Sequence, residues 1–215
     1  MTTSCDVNML PYIISALPDR AMGEAIDVLV EAFSDDPGMG WVTGGDAAQL
    51  RRWMDAGLEL FQLVGQPPLA ALREDGRVLG VLTFLPPGFY IPPWEELRWL
   101  FRVGRRLSPV AAVRTGRILR AAESFHPEVP FHYLVQLGVR REVLGKGVGR
   151  ALMEEAKAVC VAHPASQGLW LETELSEKVA WYQRQGFHTL GTVSLSRAVR
   201  STGMCWVPED GPGVR

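Results

Sequence analysis

The chain has 215 residues, with 22 Lys and Arg against 24 Asp and Glu, and its formal net charge is -2. An apolar fraction of 47% and a charged fraction of 21% exclude collagen-like, low-complexity and disulfide-scaffold proteins. The near-neutral total gives no support for coating a nucleic acid, and no apolar run approaches the ~18 to 20 residues of a membrane span. The start of the chain lacks a secretory signal, and three separated cysteines predict no metal site. We therefore expect a cytoplasmic protein that binds neither nucleic acid nor a membrane.

The N-terminal part of the chain predicts one strand, two amphipathic helices and a β-hairpin. The first helix ends at the run Asp35-Asp36-Pro37-Gly38, and the second ends at Gly65 before two prolines. The hairpin turns at Asp75-Gly76, a dipeptide that favours tight two-residue turns. In chain order the predicted elements are a strand at 12–16, helices at 25–33 and 50–63, and strands at 69–73 and 78–85.

An Arg-rich segment, about residues 95–122, follows the hairpin and predicts helices at 95–103 and 109–122. Between Leu97 and Arg120 it has seven arginines and no acidic residue. Such a run usually forms a solvated helix face, because long Arg stems also cover apolar surface. The alternative is a surface that contacts an acidic ligand or partner.

The C-terminal half predicts a strand, a glycine-rich loop, a helix, a second strand, a second helix and a last hairpin. No repeat or low-complexity linker interrupts this order, so we expect a single domain over residues 1–215. The alternation of strands and helices after an initial hairpin indicates an α/β protein with a mixed sheet. The predicted strands are 131–139, 168–173, 189–195 and 204–207, and the predicted helices are 148–159 and 177–185.

The loop Gly145-Lys146-Gly147-Val148-Gly149 is the most informative feature of the sequence. Glycines before a helix let the backbone approach a ligand, and the free N–H groups and the helix dipole favour an anion such as phosphate. Four basic residues and one acid lie between Arg140 and Arg150. The NTPase phosphate loop does not fit, because Arg140 and Gly147 stand where it has a glycine and a hydroxyl residue. The dinucleotide fingerprint fails too, since its third glycine would fall on Arg150 or Leu152.

Aligned on its glycines, Leu144-Gly145-Lys146-Gly147-Val148-Gly149 resembles the acyl-CoA loop Q/R-x-x-G-x-G/A of the GNAT superfamily of N-acetyltransferases. The flanking runs Leu137-Gly138-Val139 and Arg150-Ala151-Leu152-Met153 are similar to the family's strand end and helix start. Further on, residues 169–173 and 179–187 resemble its second cofactor segment, L-E-T … V-A-x-Y-x-x-x-G-F. The resemblance is firm over residues 131–195. A weaker upstream similarity resembles the branch that contains puromycin N-acetyltransferase, without implying puromycin as the substrate.

The resemblance implies a GNAT-like fold, with a mixed, mostly antiparallel central sheet flanked by helices and a cofactor cleft between two splayed central strands. It implies acetyl-CoA as co-substrate, no metal, and direct attack of a primary amine of a small molecule or peptide on the thioester. Members often form dimers, so a homodimer is a further implied assembly. The cofactor-binding residues that carry over are Leu137, Gly138, Val139, Leu144, Gly145, Lys146, Gly147, Val148, Gly149, Arg150 and Lys178.

Two residues carry over with catalytic roles. Tyr182 occupies the family's tyrosine position and is implied as the general acid for the departing thiolate, because a phenol of reference pKa ~10 is protonated at neutral pH. Glu172, at the end of the second cofactor strand, is the first candidate for the general base that removes a proton from the ammonium. Glu142, His132 and Tyr133 are weaker candidates for the same task.

Two departures from the family pattern leave an alternative open. Leu144 stands where the family usually has Gln or Arg, and Lys178 stands where many members have Asn. A catalytically silent CoA-binding regulatory module would fit both departures, and amine-dependent release of CoA would distinguish it from an enzyme. A third hypothesis is a peripheral protein that binds acidic partners through the Arg-rich helices. The amine remains unidentified, and the candidates for an apolar acceptor pocket, with core packing as the alternative, are Trp41, Phe84, Tyr90 and Trp94.

Overall fold

The computed structural model of the chain describes residues 11–63 and 67–208. Within them, seven strands form one sheet in the order β1-β2-β3-β4-β5-β7-β6. Neighbouring strands pair antiparallel except β4 and β5, which are parallel. The strands are β1 Tyr12–Ala16, β2 Leu69–Arg73, β3 Val78–Leu85, β4 His132–Val139, β5 Leu169–Thr173, β6 His188–Ser194 and β7 Arg200–Trp206.

Helices cover both faces of this sheet. The mixed, mostly antiparallel sheet with flanking helices confirms the predicted α/β fold. In the described part of the chain the α-helices are α1 Met22–Phe33, α2 Pro37–Thr43, α3 Ala47–Leu63, α4 Pro93–Arg106, α5 Pro109–Glu123, α6 Val148–Ala162 and α7 Ser176–Arg184.

Helix α2 is the element that the sequence prediction missed. The run at residues 35–38 ends α1 as predicted, but it also begins a new helix. The Asp36 side chain caps α2 by accepting a hydrogen bond from the Met39 N–H at 2.8 Å, and Pro37 occupies the first turn. Asp before Pro is a favourable helix start, because Asp satisfies a free N–H and Pro has none to satisfy. Two smaller differences concern β7, which is longer than predicted, and the predicted helix end at Gly65, which lies outside the described residues.

The core lies on both faces of the sheet. Side chains of α1, α2, α3 and α5 form one apolar cluster with one face, and those of α6 and α7 form a second cluster with the other. Strand β3 is buried along its whole length and supplies both clusters, with Val81 in the first and Leu82 in the second. A strand buried on both faces has an apolar run rather than an alternating pattern, as residues 78–85 do.

The two central strands, β4 and β5, separate soon after they meet. Their parallel pairing covers two residue pairs, His132 with Leu169 and Tyr133 with Trp170. The register between β3 and β4 also shifts, so that Val135 faces no partner residue on β3. Such a β-bulge bends the bulged strand and interrupts its ladder. The sheet therefore opens between β4 and β5, as predicted for the two splayed central strands.

Several arginines of the Arg-rich segment have partners within the chain. Arg106 of α4 lies 2.9 Å from Glu59, and Arg98 lies 3.5 Å from Glu95. Arg114 of α5 donates to the Trp41 carbonyl, and its guanidinium lies 5.4 Å from the centre of the Trp41 ring. These contacts favour the interpretation of a surface face that packs on its own chain. No helix in the described ranges is both long and apolar enough to cross a membrane.

Candidate active site

A cavity of about 710 Å³ lies where β4 and β5 separate. One part of its wall comes from the end of β4, the glycine loop, the start of α6 and the exposed face of α7. The other part comes from α2, α3, α4 and α5, and the end of β5 contributes residues 172–174. The volume lies in the range of ligand-binding pockets, and the lining combines an anion-binding loop with apolar helix faces.

The glycine loop has the backbone geometry of an anion site. Gly145 and Gly147 have φ values of 75° and 85°, which L side chains rarely adopt, and a Cβ at either position would meet nothing within 4 Å. The first hydrogen bond of α6 runs from the Ala151 N–H to the Gly147 carbonyl at 2.9 Å. The three N–H groups that precede it, at residues 148–150, therefore have no acceptor within the helix. They are available to an anion at the positive end of the helix dipole.

The predicted cofactor-binding residues fall into two groups. All of them line the cavity except Lys146. Lys146 has an exposed side chain, and its N–H donates to the Val143 carbonyl at 3.1 Å, so this backbone donor is used inside the loop. Leu144 is 56% exposed and gives the loop no polar side chain at the position where the family has Gln or Arg. Lys178 lies on the first turns of α7, where its charge acts on Asp36.

Internal ion pairs neutralise half of the positive charge around the loop. Arg140 lies 2.8 Å from a carboxylate of α1, and Arg141 lies 2.7 Å from Asp35. Among the four basic residues of this stretch, Arg150 and Arg141 line the cavity. The sequence count of three excess positive charges therefore overstates the charge that a phosphate would meet. The backbone N–H groups and Arg150 remain for that task.

Glu172 is held in the cavity by a tyrosine. The Tyr133 hydroxyl donates to Glu172 Oε1 at 2.5 Å, and the Tyr133 ring stacks on Trp170 with centroids 4.1 Å apart. Glu172 Oε2 is buried and receives no hydrogen bond from the described residues. Burial raises the pKa of Glu172 to about 8, against the opposing bond from Tyr133, and the charge of Glu174 adds to the rise. Glu172 is thus a stronger base than an ordinary carboxylate.

Two further acids, Glu174 and Asp36, lie beside Glu172 and were not predicted. Burial, followed by the charge of Asp36, raises the pKa of Glu174 to about 7. Burial also raises the pKa of Asp36, although the N–H groups of Met39 and Gly38 oppose it. The Glu174 Cγ lies 2.9 Å from the position of a Cβ on Gly38, so only a glycine lets α2 come this close.

We call Asp36, Glu172 and Glu174 the carboxylate cluster. All three line the cavity; the charge of Glu174 raises the pKa of Glu172, and the charge of Asp36 raises the pKa of Glu174. Glu172 and Glu174 are two residues apart, a spacing that places side chains on the same side of an extended chain and that could have found Glu174. No sequence signal links them to Asp36, because the fold alone brings α2 to the end of β5.

Tyr182 is both a core aromatic and a cavity residue. Its ring packs edge-on against Trp181 and Phe187, with centroids 5.0 Å and 5.6 Å away. Burial raises the pKa of the Tyr182 phenol, and the charges of Glu172, Glu174 and Asp36 raise it further. The hydroxyl is therefore protonated at neutral pH and is a hydrogen-bond donor in the cavity.

The weaker candidates for the base occupy different environments. Tyr133 lines the cavity but holds Glu172, as described above. Glu142 is exposed and lies 3.1 Å from Arg77 on the surface. His132 is buried with its Nδ1 2.8 Å from the Ser166 hydroxyl, and burial, with the nearby His163, lowers its pKa to about 4. Neither Glu142 nor His132 lines the cavity.

The cysteines are placed as packing residues. Cys160 and Cys205 are free and buried, and burial raises the pKa of the Cys160 thiol to about 12. Cys5 lies outside the described residues. Within residues 11–63 and 67–208, no group of three His, Cys, Asp or Glu side chains is arranged to hold a metal ion.

The helices on the far side of the cavity supply an apolar wall. We use this name for Met39, Trp53, Ile91, Trp99, Ile118 and Leu119. The aromatic candidates taken from the sequence do not form it. Phe84 packs in the core below the sheet, and Trp41 lies under Arg114. Tyr90, before α4, and Trp94, in its first turn, are 70% and 68% exposed.

A family model described as "Acetyltransferase (GNAT) family" matches residues 27–187, which include the glycine loop, β5 and α7. The chain belongs to the GNAT acetyltransferase family. The match extends over three quarters of the chain, so it covers the second half of α1 and the Arg-rich helices as well as the glycine loop, β5 and α7. None of the curated proteins compared with the chain gives a significant match.

Solved structures of GNAT proteins share this fold. One, from Corynebacterium glutamicum, is described as histone acetyltransferase HPA2 and related acetyltransferase; it is 25% identical, with a TM-score of 0.67 over 94% of this chain and 99% of that one. Arylalkylamine N-acetyltransferase 2 from Aedes aegypti is 15% identical, with a TM-score of 0.63 over 91% and 98%. A GNAT family acetyltransferase from Brucella melitensis, solved with acetyl-CoA, is 16% identical, with a TM-score of 0.53 over 96% and 92%.

Proposed function

We propose that the protein is an acetyl-CoA-dependent N-acetyltransferase that moves an acetyl group to a primary amine of a small molecule or peptide. The observation that carries this proposal is the shared cavity, in which an anion-binding loop, a buried tyrosine and the carboxylate cluster line one space. The loop suits the phosphates of CoA, the cluster suits an ammonium, and Tyr182 suits the sulfur that leaves. Family membership supports the acetyl donor.

The cofactor's pyrophosphate would lie on the N–H groups of residues 148–150, with Arg150 beside it. Its pantetheine arm would then follow the edge of β4 from Leu134 to Val139, where β4 has no pairing with β5. The predicted residues Leu137, Gly138 and Val139 all line this edge. A free N–H of Gly138 or Val139 would also donate to the thioester oxygen as it becomes an oxyanion.

Glu172 is the proposed general base. An alkylammonium has a reference pKa of ~10.4, and an ordinary Glu of ~4.3 is a poor acceptor for its proton. Raising the pKa of Glu172 to about 8 removes more than half of that difference. The neutral amine then attacks the thioester carbon, the C–S bond breaks, and the thiolate of CoA leaves.

Tyr182 is the proposed donor to that thiolate. Its phenol stays protonated because burial and three neighbouring carboxylates raise its pKa. An ammonium that binds the cluster neutralises part of this negative charge, which makes Tyr182 a better acid at the moment when the acceptor is present. Occupation of the acceptor site thus prepares the group that protonates the leaving sulfur.

Leu144 favours a second candidate, a catalytically silent CoA-binding regulatory module. Its exposed apolar side chain removes one polar contact to the cofactor that the family usually has. The backbone donors of residues 148–150 are unaffected, so CoA binding is expected in both cases. The branch that includes puromycin N-acetyltransferase and a cytoplasmic location stay predictions from the sequence.

A thiol-detection screen separates the enzyme from the silent module. The protein is incubated with acetyl-CoA and a panel of primary amines, and free CoA is measured against a control without amine. The enzyme releases CoA in proportion to the amine that is acetylated. Binding of acetyl-CoA by calorimetry, without release for any amine, would support the module instead.

A further inference from the structure

The carboxylate cluster lines the same cavity as the cofactor loop, and two of its hydrogen-bond acceptors have no donor among the described residues. Glu172 Oε2 and Glu174 Oε1 are both buried and receive no hydrogen bond from the part of the chain that the structure describes. A buried carboxylate oxygen without a donor is costly, and a cationic group that donates to it removes that cost. An ammonium has three N–H donors and a positive charge, so it matches two such oxygens on neighbouring carboxylates.

The apolar wall has the opposite character, because its polar atoms already have partners. The Trp53 indole N–H donates to the Thr115 hydroxyl at 3.2 Å, and the Trp99 indole N–H donates to the Ala56 carbonyl at 3.0 Å. Both indoles therefore offer the cavity carbon surface only. A ligand group with its own donors would lose its hydrogen bonds to water here without replacement.

The amide of Gln136 follows the same pattern. Gln136 lines the cavity from β4, but its Oε1 accepts from the Thr83 hydroxyl at 3.3 Å and its Nε2 lies 3.2 Å from Met54 Sδ. The lining residues that α3, α4 and α5 contribute include one charged side chain, Glu96. On this side of the cavity a second cation on the ligand would therefore have this one carboxylate to bind, at the start of α4.

Resting on the proposed function, we infer that the acceptor is a primary amine with an apolar body and a single positive charge. Its ammonium donates to the carboxylate cluster, and its alkyl or aryl part lies against the apolar wall. The cluster selects for the charge, and the wall selects against hydroxyl, amide and second ammonium groups. Sugar amines, polyamines and polar peptides are therefore poor acceptors.

A matched series of six-carbon amines tests this selectivity. Hexylamine, 6-amino-1-hexanol and 1,6-diaminohexane have the same reactive end and differ at the far end by a methyl, a hydroxyl and an ammonium group. We expect kcat/KM to be at least ~10-fold higher for hexylamine than for either of the others, because the wall offers no partner for their polar ends. From butylamine to hexylamine, kcat/KM should rise about fourfold for each added methylene. This factor corresponds to the ~0.8 kcal/mol gained per buried CH2.

Two variants connect the selectivity to the wall. Leu119→Gln places an amide on the apolar wall and should reduce the preference for hexylamine over 6-amino-1-hexanol at least ~3-fold. Leu97→Gln is the control, since Leu97 is 68% exposed on α4 and does not line the cavity. Melting temperatures of both variants show whether each is folded. An unchanged preference in Leu119→Gln, with the fold intact, would overturn the role of the wall.

The outcomes separate this inference from the proposed function. Acetylation of the diamine or the amino alcohol at rates equal to or above that of hexylamine overturns the inference and leaves the transferase proposal standing. If the wild type prefers 1,6-diaminohexane and Glu96→Gln abolishes that preference, the second ammonium of the diamine binds the Glu96 carboxylate. No CoA release with any amine overturns the proposed function. In that case, calorimetric titration into the CoA-bound protein still compares the affinity for hexylamine with that for 1,6-diaminohexane, and so tests the inference separately.

Discussion

At the scale of single residues, the proposed chemistry depends on carboxylates that the fold keeps away from water. Among the described residues the Glu172 carboxylate accepts one side-chain hydrogen bond, from Tyr133, where a solvated carboxylate would accept several. The loss of solvation outweighs that bond, which is why the pKa of Glu172 rises rather than falls. Tyr133 fixes the position of the Glu172 carboxylate, and burial in the cavity raises its pKa.

The first prediction concerns the pH dependence of the reaction. Because the pKa of Glu172 is about 8 and that of Glu174 about 7, kcat/KM should rise with pH through this interval as the base loses its proton. Glu172→Gln should lower kcat/KM by ~10²-fold and remove the rise. Glu142→Gln is the control, since Glu142 lies on the surface and should keep the wild-type profile. The same pH profile in Glu172→Gln would exclude Glu172 as the base.

The second prediction concerns Tyr182. Tyr182→Phe keeps the ring that packs against Trp181 and Phe187 and removes only the hydroxyl. Turnover should fall ~10- to 100-fold, because the thiolate loses its proton donor, while the affinity for acetyl-CoA should change little. A thiol-release assay measures the turnover, and calorimetry measures the affinity for acetyl-CoA. Tyr90→Phe, on the exposed surface, is the matched control, and unchanged turnover in Tyr182→Phe would remove Tyr182 from the acid role.

At the scale of elements, the loop between β4 and α6 presents its donors before a ligand arrives. Gly145 and Gly147 adopt positive φ, and each turn they make leaves the N–H groups of residues 148–150 facing the cavity. A Cβ added to Gly149 would lie 3.6 Å from Val139 Cγ1. The start of α6 therefore packs directly on the end of β4. Little rearrangement is then needed when an anion binds.

The third prediction uses two glycines with the same backbone conformation. Gly147 and Gly76 both have a φ of 85° with open space around a Cβ, but only Gly147 lines the cavity. Val at either position should cost a similar ~1 to 2 kcal/mol of stability, because an L side chain disfavours this region. Gly147→Val should also weaken CoA binding more than ~10-fold in calorimetry, and Gly76→Val should not. Equal affinities in the two variants would contradict the loop assignment.

Most elements could be predicted from the sequence because their signals are local. The hairpin turn at Asp75-Gly76, the glycine loop and the Ser108 cap of α5 depend on neighbouring residues alone, whereas Ser176, predicted to cap α7, lies inside that helix and makes no cap. Helix α2 was missed because Asp36-Pro37 was interpreted only as the end of α1, although the pair equally begins a helix. The cofactor side of the cavity was predictable for the same reason, since its loop is one continuous segment.

The side of the cavity proposed for the acceptor could not be predicted, since its residues meet only in three dimensions. Asp36 of α2 reaches Glu174 because Gly38 allows a close approach, and nothing near residue 36 in the sequence indicates this contact. Trp53 and Trp99 line the cavity, whereas Tyr90 and Trp94 point outward. The sequence does not distinguish these aromatic residues, because their exposure depends on which face of each helix borders the cavity.

At the scale of the whole molecule, the net charge of -2 conceals an uneven distribution. Basic residues of the loop and of the Arg-rich helices lie partly in surface ion pairs, and three carboxylates are buried in the cavity. Burying unpaired acids costs folding free energy once they are ionised. The cluster therefore lowers the stability of the folded state above neutral pH, at the site where we propose that the ammonium of the acceptor binds.

The fourth prediction follows from the sign of these shifts. A carboxyl whose pKa is raised on folding holds more protons in the folded state than in the unfolded state, so stability falls as pH rises from its unfolded value toward its folded one. For Glu172 and Glu174 this interval runs from about 4.5 to about 8 and about 7. We expect the melting temperature to be lower at pH ~8.5 than at pH ~6 by at least ~2 to 4 °C, or ~1 kcal/mol.

The double variant Glu172→Gln with Glu174→Gln provides the test. The double variant should lose most of the difference in melting temperature between pH ~6 and pH ~8.5. At pH ~8.5 it should have a higher melting temperature than the wild type. The control Glu142→Gln changes one exposed carboxylate and should leave the difference in place. A wild-type protein that is equally stable at both pH values would contradict the burial of ionised carboxylates in the cavity.

The short pairing of β4 with β5 makes the sheet two half-sheets joined at one end. Strands β1 to β4 form one half and β5, β7 and β6 the other, and the β4–β5 ladder that joins them pairs residues 132–133 with residues 169–170. The facing edges beyond that joint are open, so a bound molecule with amide groups would complete the sheet as a further strand does. Amide hydrogens of residues 134–139 would then exchange with solvent more slowly, and the cofactor would become part of the framework that holds its own site together.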